Sequence, residues 1–186
     1  MKKAAICISA LLALCVPQMS YAESAPLPSE WSGSEDTLEY MGELSFFGPN
    51  LAGLPPLGPE GVTMIGRVDG GTATGPILNG EILPVGEDWA LIRPDGNLSI
   101  DVKLLLKTED GAYIKIRYEG RWKGTDDIRK AIIGGAKVAP TEYYLRSAPF
   151  FETTDPRYAY LNDVVAIGYG RVEQGAGATM RIYRVK

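Results

Sequence analysis

The chain has 186 residues, contains no histidine, and has only two cysteines, Cys7 and Cys15. Without histidine there are no serine–histidine or cysteine–histidine nucleophile pairs and few routes to a protein zinc site. Acid–base work falls to Asp, Glu, Lys, Arg and Tyr. Basic residues are not in excess, at 19 against 23 acids. That balance, with no clustered Lys and Arg, argues against nucleic acid and an anionic membrane surface as partners. No Gly-Lys-Ser/Thr follows Gly70-Gly71 or Gly75-Pro76, so these glycines read as strand bends and turns rather than a phosphate loop. No flavin or nicotinamide motif is present, and Asp126-Asp127 lack the rest of a twelve-residue calcium loop. The expectation is a protein with no cofactor and no metal.

Long apolar runs are also scarce. The longest, Ala4 to Val16, follows Lys2-Lys3 and is broken by Pro17, ahead of the small residues of Ser20-Tyr21-Ala22. A spanning helix needs about 20 apolar residues, so the pattern is that of a secretory signal peptide over residues 1–22, cleaved near Ala22. Export to the periplasm or medium is the expected localisation. Removal takes Lys2, Lys3 and both cysteines, leaving a net charge of −6 and no possible disulfide. The exported chain must then rest on its hydrophobic core alone. Residues 23–37, rich in Ser, Pro and Gly around Trp31, read as a flexible lead-in. Residues 38–186 are long enough for one domain.

From there, glycine and proline punctuate short alternating runs every eight to twelve residues, the pattern of an all-β sandwich or barrel. Strands are predicted at Leu38–Phe47, Val62–Val68, Gly80–Pro84, Trp89–Arg93, Leu98–Lys107, Ala112–Gly120, Tyr143–Ser147, Val164–Val172 and Thr179–Val185. Asp110-Gly111 supplies the hairpin turn after the strongest run. Thr125 caps a short helix that Gly134-Gly135 ends, and Asp155-Pro156 starts a second that ends near Asn162. Two short helices do not cover a sheet, and closure removes its edges. The fold expected is a single antiparallel β-barrel of about eight or more strands with two short helices.

The combination Gly70-Gly71-Thr72, Gly75-Pro76, Leu83-Pro84, Asp88-Trp89, Arg93-Pro94-Asp95-Gly96, Asp110-Gly111-Ala112, Glu142-Tyr143-Tyr144, Ala148-Pro149, Pro156-Arg157-Tyr158-Ala159, Leu161-Asn162 and Tyr183-Arg184-Val185 resembles the family called domain of unknown function 3237. The resemblance covers roughly residues 38–186. It implies a single antiparallel β-barrel and no assigned activity. Val85, Ala73, Lys103-Leu104, Tyr118 and Tyr160 depart from the family's usual residues. If those positions line a cavity, it has been reshaped here.

Alternation leaves one face of each strand enclosed. Trp89 is expected in the core or a cavity wall. Arg93, Asp95, Asp101, Tyr118, Tyr144 and Asn162 are candidate ligand-binding residues, and Arg146 with Glu152 the candidate catalytic pair. A carboxylate-held guanidinium orients an anionic group, and a partly buried Glu serves as a general base. The competing structural readings are a solvated outer face for Asp101 and Lys103, a tie between segments for Arg146 and Glu152, and backbone capping for Asn162. The function expected is the binding of one small, mainly apolar ligand in the barrel. The alternatives are a cofactor-free isomerase, cyclase or lyase using a Glu or Asp base and an Arg, or a structural or partner-binding barrel with a filled interior. The sequence leaves the oligomeric state open.

Overall fold

The computed structural model describes residues 37–48, 52–174 and 177–186. The expected signal peptide and nearly all of the expected lead-in, Trp31 included, lie outside them. Eleven strands follow in order: β1 (Leu38–Phe47), β2 (Ala52–Gly53), β3 (Val62–Val68), β4 (Gly71–Thr74), β5 (Gly80–Ile82), β6 (Gly86–Ile92), β7 (Leu98–Thr108), β8 (Tyr113–Lys123), β9 (Tyr144–Glu152), β10 (Ala166–Glu173) and β11 (Gly177–Val185). Helix α1 (Asp126–Ile133) lies between β8 and β9, and a 3-10 helix (Ala159–Asp163) between β9 and β10.

Pairing runs β7–β5–β4–β1–β11–β10–β9–β8 and returns to β7, closing an antiparallel barrel of eight strands. The expectation of a barrel is met. Strand β7 serves two neighbours on one edge. Its last residues, Leu106–Thr108, pair with β5, and Leu98–Lys103 pair with β6. Behind β6 come β3 and β2, so a three-stranded wing branches from the barrel. The end of β3 is tied back to β1, with the Phe47 N–H donating to the Gly70 carbonyl at 3.2 Å and the Phe47 carbonyl accepting from the Asp69 N–H at 2.9 Å.

The period-two pattern of β8 is complete. Ile114, Ile116, Tyr118, Gly120 and Trp122 are buried and the residues between them are exposed. Its register with β7 sets Tyr118 against Val102 and Ile116 against Leu104. The hairpin joining the two turns at Gly111, whose φ of +89° favours glycine. Asp110 in that turn accepts from Arg157 at 2.8 Å and from the Tyr158 hydroxyl at 3.0 Å, latching the β9–β10 crossing onto this end.

The barrel is filled at that end. Met41, Leu44, Ile82, Leu106, Ile114 and Ile182 are fully buried there, with Leu78 and Leu161 entering from outside the strands. At the other end Thr125 accepts from the Ile128 N–H and caps α1 as predicted. Arg129 of α1 donates to the Gly96 carbonyl at 2.5 Å, and Gln174 donates to the Gly135 carbonyl at 3.0 Å. The helix is thus pinned across the barrel end by one bond on each side.

The structure differs from the sequence expectations in several elements. β2 falls within residues 48–59, read as a loop, and β9 continues through Pro149 to Glu152, five residues past the predicted end at Ser147. β4 occupies residues read as bends. β6 begins three residues before the predicted strand. The second helix is a 3-10 helix confined to Ala159–Asp163, with Asp155 instead accepting from the Arg157 N–H in the preceding turn.

Candidate ligand site in the open half of the barrel

A cavity of about 660 Å³ lies at the α1 end. It is lined where the inward side chains are Leu98 and Ile100 of β7, Trp122 of β8, Met180 of β11 and Phe46 of β1, with Met64 and Ile92 from the wing. Ile132 and Ile133 of α1 also border it. The same strands that are packed solid around Leu106 and Ile114 are therefore hollow several residues further along. The Trp122 ring is stacked on Tyr143 at 6.1 Å between centroids, and the Tyr143 hydroxyl accepts from the Val172 N–H at 2.8 Å, which fixes that wall.

Five titratable side chains border this apolar space, Asp88 and Tyr118 on the strands and Arg67, Arg129 and Glu173 around them. Alternation along β6 turns Gly86, Asp88, Ala90 and Ile92 inward and Glu87, Trp89 and Leu91 outward. Asp88 stands opposite Val102, which stands opposite Tyr118, so all three form one row across β6, β7 and β8. The Oδ1 atom of Asp88 is buried with no hydrogen-bond partner among the described residues. Burial, and then the negative charge of nearby Asp101, push the Asp88 carboxyl up to about 6. Burial and the Asp88 charge hold the Tyr118 hydroxyl well above its ordinary range, and no hydrogen bond contributes. A carboxyl in an apolar wall disfavours its own charge, and one tuned close to neutrality can either hold a hydrogen-bonding ligand or accept a proton.

The charged groups at the rim are already partnered. Arg129 pairs with Asp126 at 3.0 Å, and Arg67 with Asp69 at 3.1 Å. Glu173 accepts from the Thr179 hydroxyl at 2.6 Å and from Arg171 at 2.5 Å; these bonds, the Thr179 bond foremost, lower its carboxyl below the ordinary range.

Of the residues singled out from the sequence, Tyr118 alone lines the cavity. Trp89, expected inside, is on the outer face and 42% exposed, because the face of β6 carrying the larger apolar groups is the outer one. Arg93 and Asp95 pair with each other in the exposed turn before β7. Asp101 is on the outer face of β7 near Arg117. Tyr144 and Arg146 are also outside, the guanidinium stacked on Tyr144 and on Tyr169. Glu152 shares their outward face six residues on, about 20 Å along the strand, where it takes Lys115 at 2.9 Å. Arg146 and Glu152 therefore do not form a pair. Asn162 exchanges two bonds with the Thr153 backbone, at 2.9 and 3.0 Å, and joins the 3-10 helix to the end of β9. Of the positions that depart from the family pattern, Tyr118 borders the cavity, whereas Val85 and Tyr160 are exposed and Lys103 pairs outside with Glu87.

Asp88 was not among the expected site residues. Starting the strand at Trp89 left it in a loop. The signal that identifies it is the alternation Asp88-Ala90-Ile92 with small Gly86 before it, a carboxylate on the same parity as two apolar residues. Among the described residues no cluster of three or more Asp, Glu, His or Cys is arranged to hold a metal.

The family model described as protein of unknown function (DUF3237) matches residues 47–185. A UPF0311 protein of Rhodopseudomonas palustris is 32% identical over 108 residues, covering 58% of this chain and 71% of that relative. One from Clostridium acetobutylicum is 35% identical over 91 residues, 49% of this chain; the match spans only 58% of that relative's length. Among solved structures, a conserved protein of unknown function from Rhodopseudomonas palustris superposes with a TM-score of 0.75 at 25% identity, over 80% of this chain and 97% of that one. A beta-barrel like protein from Acinetobacter baumannii superposes with a TM-score of 0.67 at 29% identity, over 88% of this chain and all of the other.

Proposed function

The chain belongs to the DUF3237 (UPF0311) family of uncharacterised β-barrel proteins, and from that premise we propose that it binds one small, mainly apolar molecule inside the hollow half of its barrel. The observation that carries this reading is the 660 Å³ apolar cavity with an unpartnered carboxyl oxygen in its wall. Ligand pockets are typically about 300–1,000 Å³, mostly apolar, with a few polar groups that fix orientation. The test is native mass spectrometry of the purified protein, followed by titration with an uncharged environment-sensitive dye such as N-phenylnaphthylamine. A co-purifying molecule, or saturable dye binding lost in Ala90→Trp, supports the reading. A folded protein that carries no molecule and takes up no dye overturns it.

Asp88 and Tyr118 favour one second reading, a cofactor-free proton-transfer enzyme. In it Asp88, with its carboxyl near 6, is the base, and the Tyr118 hydroxyl stabilises the developing oxyanion. The arginine expected in that role, Arg146, is on the outer face against Tyr144 and Tyr169, and Arg129 at the rim is held by Asp126 and Gly96, so in this reading the tyrosine takes its place. Turnover of the bound molecule abolished by Asp88→Asn, with binding retained, separates this reading from simple binding.

We also propose export, supported by Lys2-Lys3, the apolar run and the small residues before Glu23. Edman sequencing of the protein from its native host is expected to begin at or near Glu23, and a chain that retains Met1 in the cytosol overturns this.

A further inference from the structure

Polar groups around the cavity fall into two sets. Those at the rim, Arg67, Arg129 and Glu173, already have partners. Among the described residues, Asp88 Oδ1 in the wall has no hydrogen-bond partner, and no hydrogen bond acts on the Tyr118 hydroxyl. Ser147 Oγ and Asp101 Oδ1 are also buried without a hydrogen bond, but Ser147 is wedged against Gly168, where a Cβ would come within 2.3 Å of it, Asp101 is 3.7 Å from Arg117 on the outer face, and neither is part of the lining. The wall therefore offers one strong acceptor and one donor, two strands apart in a single cross-strand row, with apolar side chains around them.

That pair is the complement of a hydroxyl group, which has one proton to give and lone pairs to receive. A ligand carboxylate would bring a second negative charge beside Asp88, where burial already disfavours the first, with no free cation among the lining residues to offset it. A ligand ammonium would bring three N–H donors to at most the Asp88 carboxylate and the Tyr118 oxygen, and a buried ion pair with unmet donors loses more on desolvation than it gains.

Resting on the binding reading above, we propose that the cavity selects uncharged apolar molecules bearing a hydroxyl group, which enters first to donate to Asp88 and accept from Tyr118, and discriminates against carboxylic acids and amines of the same carbon frame.

The test is calorimetry of the full chain at pH 8 with four compounds on one compact frame: adamantanol, its methyl ether, adamantanecarboxylate and adamantylamine. The alcohol is expected to bind about tenfold or more tighter than the ether, because loss of the donor leaves Asp88 unpaired in apolar surroundings. The two charged analogues are expected to bind more weakly than the ether. Asp88→Asn is expected to narrow the preference for alcohol over ether to about threefold or less, whereas Tyr118→Phe, which removes the donor to an oxygen that both compounds carry, is expected to weaken alcohol and ether by similar factors. Equal binding of alcohol and ether, or tightest binding by the amine or the carboxylate, overturns the selectivity and leaves the binding reading standing. No binding by any of the four overturns the selectivity, and the dye titration above then decides the binding reading separately. Should Asp88→Asn fail to fold, the four-compound series on the unaltered chain and the Tyr118→Phe arm still decide.

Discussion

Burial opposes the charge on Asp88, and this makes one residue a source of pH-dependent stability. Its carboxyl titrates at about 6 in the folded chain, against an ordinary value of 3.8. Between those values the folded state binds more protons than the unfolded one, so stability falls as pH rises. The contribution is fully present below about pH 4 and lost above about pH 6, a span worth on the order of 3 kcal/mol. Asp88→Asn removes this slope. In urea denaturation from pH 4 to pH 8, the variant is expected to gain on the unaltered protein by up to about that amount, with the change concentrated between pH 4 and 6. A gap between the two proteins that is flat with pH would show that Asp88 is ionised in the fold throughout. The residue escaped sequence reading for a physical reason. Along 86–92 both parities carry apolar groups, Ala90 and Ile92 on one and Trp89 and Leu91 on the other, and hydrophobicity alone selects the face with the tryptophan. What inverts the choice is the barrel's own inner space, which that face of β6 lines with Gly86 and Ala90 buried. Tyr118, by contrast, is in β8, where every second residue is apolar and the rest are polar or charged, and its inward direction is legible without coordinates.

At the scale of elements, propensity and capping marked most boundaries. The strong alternation of β7 and β8, the Asp110-Gly111 turn and the Thr125 cap are local signals and lie where they were expected. The short strands β2 and β4 carry almost no local signal. Gly71–Thr74 is extended because β1 and β5 bracket it, an interaction over distance that no window of sequence contains. Two element-level outcomes follow. Thr125→Ala removes the side-chain acceptor at the α1 start and is expected to cost about 1 kcal/mol. Because α1 buries no residue fully, the loss should register as faster amide exchange across Asp126–Ile133, with exchange in β7 and β8 unchanged; equal acceleration in those strands would mean the helix is part of the cooperative core rather than a cover. On the outer face, Arg121 of β8 stands directly opposite Arg146 of β9, a like-charged cross-strand pair that disfavours the register it occupies. Arg146 is shielded by the tyrosines on either side of it, so Arg121 is the side to change. Arg121→Glu is expected to stabilise the protein by about 0.2–1 kcal/mol at low salt, and the gain should shrink in 1 M salt as the charges are screened.

For the molecule as a whole, the decisive property is that one closed barrel has two unlike halves. The closed topology was readable because many short strands with little helix cover leave edges that only closure removes. The division into a packed half and a hollow half was not readable, since it depends on where Leu78 and Leu161 enter from outside the strands and on the branching of β7 between β5 and β6. Paired substitutions measure this asymmetry directly. Leu106 is fully buried in the packed half, and Leu106→Ala is expected to cost about 2–5 kcal/mol through lost burial and the void left behind. Ala90 faces the cavity of the other half. In a packed interior, enlarging such a residue forces neighbours off their rotamers and costs about 1–3 kcal/mol. In a hollow one the added carbons find space, and each buried methylene contributes about 0.8 kcal/mol. Ala90→Leu is therefore expected to raise the unfolding free energy in urea, by up to about 2 kcal/mol, while weakening every ligand that occupies the deep end beside Asp88. A loss of stability on Ala90→Leu comparable to ordinary overpacking would mean that this half closes on itself in solution, and the site built on Asp88 and Tyr118 would have no room to receive anything.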